Sequence, residues 1–203
     1  MRFALLLAFI LNLTLVAPLF AQVEAKTTDG RIVILKSDGT WTEKPVAKPA
    51  DLRVDANDCS AWIVSRTDKV TGDTNVSGKP GFVVSSDGGK TGFAILTLRA
   101  SQSIVLSFSV AERNAGCIDE GSNINILFRD GSRLELTNQN KFNCDGEATL
   151  YFKGVFGHED ALRQLKTKPV ETVRIWTFKS YVERDLSVEQ SKRLMNELSC
   201  LDH

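Results

Sequence analysis

The amino-acid sequence predicts an α+β fold: a β-rich antiparallel sheet domain with a C-terminal amphipathic helix, preceded by a small three-stranded β-meander. Three observations carry this. Ile104, Leu106, Phe108 and Val110 alternate with Val105, Ser107 and Ser109, the period-2 pattern of a strand with one buried face. Asp-Gly pairs at Asp29-Gly30, Asp38-Gly39, Asp87-Gly88 and Asp130-Gly131 separate short apolar runs, as hairpin turns do. Near the C-terminus, Val188, Leu194, Met195, Leu198 and Leu201 recur at helical spacing behind Ser187-Val188-Glu189-Gln190, a capping box.

Taken in order, the chain opens with an export signal over residues 1–21. Arg2 gives the positive start, Phe3 to Val16 an apolar run broken only by Asn12 and Thr14, and Pro18 and Ala21 a cleavage region ahead of Gln22. The polar residues inside a run barely long enough to span a bilayer make a retained anchor the weaker alternative. No stable membrane span is expected once the signal is removed.

Residues 22–44 form the meander. Three-residue turns at Thr28-Asp29-Gly30 and Ser37-Asp38-Gly39 set Val23 against Leu35, Ala25 against Val33 and Leu35 against Trp41, which places the apolar residues on one face. A linker with two prolines follows at 45–56, and the main domain occupies 57–203.

Within the main domain about eight strands are expected, most joined by short turns. The first covers Cys59 to Arg66; a polar stretch from Asp68 to Gly81 follows as a loop; Phe82 to Ser85 and Gly92 to Leu98 pair across Asp87-Gly88-Gly89. The ladder to Val110 comes next. In the hairpin at Asp130-Gly131, a three-residue loop sets Ile126 against Leu134 and Ile124 against Leu136, all on one face, whereas a two-residue loop mixes the faces. Ala148, Leu150 and Phe152 mark a further strand. His158 to Lys168 is a short helix, acidic at its start and basic at its end, stopped by Pro169. Val173 and Ile175 then point inward from a late strand.

Four cysteines in an exported chain imply two disulfides. No CxxC pair is present, which argues against a zinc ribbon or a thioredoxin-type site. Extending the hairpin register outward brings Cys117 opposite Asn143 and Cys144, so the expected bridges are Cys117–Cys144 and, by remainder, Cys59–Cys200.

The segment Asp29-Gly30-Arg31, Val33, Leu35 and Asp38-Gly39-Thr40-Trp41 resembles one near the mature N-terminus of several families of uncharacterised exported bacterial proteins. The later stretches Val173-Arg174-Ile175-Trp176-Thr177 and Ser199-Cys200-Leu201 are similar to proteins of the same kind. The resemblance implies a periplasmic or secreted bacterial protein and assigns no activity.

Composition narrows the function classes. Lys plus Arg and Asp plus Glu are 25 each, leaving no net charge to attract nucleic acid or an anionic membrane. Gly88-Gly89-Lys90-Thr91 lacks the first glycine and the helix of a phosphate loop, and the Asp-Gly turns lack the alternating oxygens and distal glutamate of a calcium loop. Asn75-Val76-Ser77 is a glycosylation sequon, of consequence only in a host that modifies it. His158-Glu159-Asp160 cannot converge on one metal ion, because adjacent helical residues diverge by about 100°. Asp119 and Glu120 have no second acid set against them in the chain. No metal, cofactor or catalytic residue is assigned.

Strand alternation turns Arg174, Trp176 and Phe178 away from Val173 and Ile175, with Tyr181 a few residues on. Arginine and aromatics on one surface have the composition of a recognition patch; the alternative is a second buried side of the core. The expectation is a non-catalytic binding or structural module whose partner is a protein, glycan or small molecule, with a carboxylate-based hydrolase as the alternative.

Overall fold

The computed structural model describes residues 23–27, 32–36, 38–43, 58–86, 91–112 and 114–203. The signal segment, the linker at 45–56 and the turns at 28–30 and 87–89 lie outside the described residues. The chain divides into two units, 1–46 and 47–203.

In the first unit, β1 (Val23–Lys26), β2 (Ile32–Leu35) and β3 (Trp41–Glu43) form a three-stranded antiparallel sheet in that order. The pairs Val23–Leu35, Ala25–Val33 and Leu35–Trp41 are those the turn lengths require. Between β2 and β3, Asp38 accepts from the backbone and hydroxyl of Thr40, and Gly39 sits at φ +80°, a conformation that favours glycine.

The second unit is built on two antiparallel sheets and two helices. Strands β4 (Ile63–Thr67), β5 (Thr74–Gly78), β6 (Phe82–Ser85), β7 (Gly92–Ala100), β8 (Ser103–Val110) and β11 (Glu147–Phe152) make the larger sheet, in the order β11-β8-β7-β5-β4 with β6 also on β7. Strands β9 (Asn123–Phe128), β10 (Arg133–Thr137), β12 (Val170–Trp176) and β13 (Tyr181–Asp185) make the smaller one, in the order β10-β9-β12-β13. Helix α1 (Glu159–Thr167) packs on β11 and on α2 (Val188–Leu201), which crosses β4, β5 and β7.

Alternation along β7 and β8 places Phe93, Ile95, Leu106 and Phe108 on one face of the larger sheet, where they meet Ile124, Ile126, Val173 and Ile175 from the smaller sheet and Leu194 and Leu198 from α2. Phe93 and Phe108 pack edge to face with ring centres 5.7 Å apart. Between the sheets, the segment after β10 covers the open edge of β11. Asn138 Oδ1 accepts from the Thr149 N–H at 2.8 Å, and Gln139 Oε1 accepts from Tyr151 N–H at 2.6 Å. An edge paired in this way cannot recruit another strand.

Both disulfides join the expected partners, Cys59–Cys200 and Cys117–Cys144, and no cysteine is free among the described residues. This is the thiol chemistry of an oxidising compartment. The hairpin register also holds, with Ile126 opposite Leu134, Ile124 opposite Leu136, and Gly131 at φ +81° in the turn. Asp130 closes that turn: hydrogen bonds from the Ser132 hydroxyl and backbone, with Lys168 nearby, lower its carboxyl to about 2.

Four expectations are corrected. Cys59–Ala61 is a 3-10 turn rather than the start of a strand, because Asp58 caps it by accepting from Ser60 N–H; the strand begins at Ile63. The polar stretch after Asp68 contains β5, which pairs with both β4 and β7 although only Val76 among its residues is strongly apolar. The late strand β12 has a partner, β13, hidden from pattern reading because Val182 is its one buried side chain. His158 stands outside α1, as its N-cap at φ +60° with no side-chain capping bond.

The polar stretch was opaque for a reason visible at Gly78. A Cβ there would overlap the Thr97 hydroxyl and the Glu197 carboxylate. Glu197 is 2% exposed, accepts from Thr97 Oγ1 at 2.7 Å and pairs with Arg193 at 2.7 Å, so glycine makes room for a buried acid beneath α2. Burial pushes the Glu197 carboxyl up from its ordinary value of 4.5, against the opposing bonds from Arg193 and Thr97. The folded chain then holds that proton more tightly than the unfolded chain. Its contribution to stability is therefore complete below 4.5 and is lost as pH rises through the elevated value. Glu197→Gln should accordingly gain stability relative to the wild type as pH rises from about 4 to 8, measured by urea unfolding at each pH. A stability difference that stays constant across that range would contradict the assignment.

Candidate functional site

The smaller sheet buries one face and presents the other to solvent. On β9, Ile124 and Ile126 go inward while Asn123 and Asn125 go outward; on β10, Leu136 goes inward while Glu135 and Thr137 go outward. On β12, Val173 and Ile175 are buried while Arg174 and Trp176 are not, and on β13 Val182 is buried between Tyr181 and Glu183. Register aligns these outward residues. Glu135, Asn125, Arg174 and Glu183 form one row across the four strands, and Trp176 stands opposite Tyr181 in the next.

The side chains are joined along and between the rows. Asn125 Nδ2 donates to Glu135 at 2.8 Å, and its Oδ1 accepts from the Trp176 indole N–H at 2.7 Å. Arg174 uses Nε and Nη2 to hold Glu183, at 2.6 and 2.5 Å. The same guanidinium lies 4.5 Å from the centre of the Tyr181 ring and 6.0 Å from that of Trp176. The two rings are 5.3 Å apart and tilted by 60°. Trp176 is nevertheless 39% exposed and Tyr181 45% exposed. Two amphipathic rings are thus held in one orientation with their outer surfaces open, so little ordering remains when something binds on them.

Of the four residues singled out by alternation, the fold brings Arg174, Trp176 and Tyr181 together. Phe178 departs from the pattern because β12 ends at Trp176. Phe178 lies in the turn to β13, 79% exposed, with its N–H donating to Cys117 O at 2.8 Å beside the Cys117–Cys144 bridge. Asn125, Glu135 and Glu183 complete the cluster and were not singled out. The signal for the first two was present in the alternation Asn-Ile-Asn-Ile and Leu-Glu-Leu, whose polar members must share a face; nothing local marks Glu183.

Cavities formed by described residues of the second unit include two beside charged side chains. One, of about 330 Å³, opens beside β13 and is lined by Ser85, Ser86, Glu183, Arg184 and Asp185. Glu183 therefore belongs both to the cluster and to this wall. Arg184 pairs with Glu112, and Thr172 donates to Asp185 at 2.6 Å. The other, of about 190 Å³, lies at the C-terminus of α2. There Arg99 donates to Leu201 O, while Lys153 and Lys166 both pair with Asp202. Burial favours the protonated form of Asp202, but the two lysines outweigh it and hold the carboxyl below its usual range. Cations at a helix C-terminus satisfy its carbonyls and dipole, so this second cluster is accounted for by the helix it ends.

The remaining chemistry-bearing residues do not converge. Asp119 and Glu120 are exposed beside β9, His158 caps α1, and no group of three or more metal-ligating side chains occurs among the described residues. No helix among the described residues is long and apolar enough to cross a membrane. Fold and surface define an α+β protein with three antiparallel sheets among the described residues and an open, polar and aromatic face on the four-stranded sheet of the second unit. Comparison with protein-family models, curated proteins and solved structures finds no match.

Proposed function

We propose that this protein is an exported, non-catalytic binding module that takes its ligand on the open face of the smaller sheet. The observation that carries the reading is the Arg174–Trp176–Tyr181 cluster, in which the exposed Trp176 ring is held by its hydrogen bond to Asn125 and the Tyr181 ring lies against Trp176 and the guanidinium that Glu183 fixes. Residues so ordered on a surface contribute little to the core, and ordered aromatics and arginine are the groups that dominate binding energies. Export is supported by the pattern of residues 1–21 and by two disulfides.

A carboxylate-based hydrolase fits this face poorly. Its row places Glu135 and Glu183 on the two outer strands, three strand spacings or about 14 Å apart, against about 5 to 9.5 Å for paired carboxylates acting across one glycosidic bond. Both are also engaged, by Asn125 and Arg174.

The test is affinity capture from a native envelope fraction by the mature protein. Arg174→Ala with Trp176→Ala should abolish capture and leave the melting temperature nearly unchanged, since neither side chain is buried. Undiminished capture by that double variant would refute the site.

A further inference from the structure

We propose that the ligand is a neutral glycan of pyranose units, one sugar lying on Trp176 and Tyr181 while hydroxyls of the next bond Glu183, Asp185 and Ser86 in the cavity beside β13. This rests on the reading of the face as a binding surface and names what it binds.

Charge selects the class. On the face and in the wall of the cavity beside it, Arg133, Arg174 and Arg184 are balanced by Glu135, Glu183 and Asp185. Arg174 and Arg184 are already paired within the protein. A polyanion gains affinity when unpaired cations neutralise it and release its counterions to solution, and here it would meet carboxylates instead. Those carboxylates are acceptors with capacity left over. Glu183 receives both of its guanidinium bonds on Oε2, and Asp185 its bond from Thr172 on Oδ1. Hydroxyl groups supply what such oxygens lack, in bonds strengthened by the charge.

The aromatic pair selects further. A pyranose carries polar hydroxyls around its rim and C–H groups on its faces, and those faces match the negative surface of an aromatic ring. A protein partner of ordinary size would need an apolar centre to its interface, whereas the strand positions beside Trp176 and Tyr181 are Asn123, Asn125 and Thr137, and Phe178 is a single exposed apolar side chain in the turn between the two strands. Dimensions agree as well. Glu183 is two residues along β13 from Tyr181, about 7 Å, the scale of one sugar in a chain. The platform and the cavity therefore stand one residue of polymer apart.

The experiment uses the full mature protein with two probes: hexasaccharides of β1,4-glucose, α1,4-glucose and β1,4-N-acetylglucosamine by titration calorimetry, and an envelope fraction treated beforehand with periodate or with protease. Periodate cleaves the C2–C3 diol of 1,4-linked glucose units and should abolish retention of such a glycan. A chain of 1,4-linked N-acetylglucosamine lacks that diol and is tested by its hexasaccharide in the calorimeter, and protease should abolish retention of neither. Trp176→Ala should weaken binding by about tenfold or more. Trp176→Phe, which keeps a flat ring but loses the indole N–H to Asn125, should retain more binding than the alanine variant. A Trp176-dependent ligand destroyed by protease and resistant to periodate would overturn the glycan assignment while leaving the binding face standing. Envelope binding indifferent to Trp176 and Arg174 would overturn both. No heat with any hexasaccharide, together with no periodate-sensitive retention, would also end the glycan assignment.

Discussion

Replacing Cys59 and Cys200 together by alanine should lower the unfolding free energy by about 4 to 5 kcal/mol. The bridge spans a sequence separation of 141, against 27 for Cys117–Cys144. In the loop-entropy account the longer closure is worth about 5 kcal/mol and the shorter about 3.6 kcal/mol, so the two double variants should rank in that order. Location adds to the difference. Cys200 is 2% exposed on the last turn of α2 and ties that helix to the turn leading into β4, whereas Cys144 is solvent-exposed at the rim of the smaller sheet. Guanidinium unfolding of both double variants decides the matter. Equal losses, or a loss below about 1 kcal/mol for the longer bridge, would show that constraint of the unfolded chain is not what this disulfide supplies.

Phe108→Ala should cost about 3 to 5 kcal/mol. Phe108 lies within β8, fully buried, with β7 on one side and β11 on the other and the Phe93 ring against it. Truncation removes the transfer free energy of the ring and leaves a cavity between two sheets whose backbones are held by ladder hydrogen bonds and cannot close on it. Phe108→Leu, which fills part of that volume, should cost clearly less. Trp176→Ala is the contrasting case: 39% exposed, it should change stability by about 1 kcal/mol or less while carrying the binding phenotype. Urea unfolding of the three variants measures all of this, and a Phe108→Ala loss below about 1 kcal/mol would mean the core centre is misplaced.

What could be read from the residues was whatever local chemistry dictates over a few positions. Gly131 and Gly39 occupy positive φ in their turns, so loop length and register followed, and with register came the inward faces of β9 and β10 and the approach of Cys117 to Cys144. Ser187 and Gln190 cap each other whatever lies beyond, so the start of α2 was equally plain. The recognition patch was half legible: period-2 alternation turned Arg174 and Trp176 away from Val173 and Ile175, but could not say whether that side met water or a second layer. Only the tertiary structure answered this, because α1 and α2 join the smaller sheet in the one core and leave its outer side open. Partners contributed by distant strands were beyond any local pattern. β13 has a single buried side chain and is a strand because β12 lies beside it; Glu183 acquires its meaning from Arg174 across that ladder, and Asn125 from Trp176. β5 was hidden for the same reason, since Gly78 is dictated by Thr97 and Glu197, which approach it from elsewhere in the chain. Periodicity reports which way a side chain points, and only packing decides what it meets there.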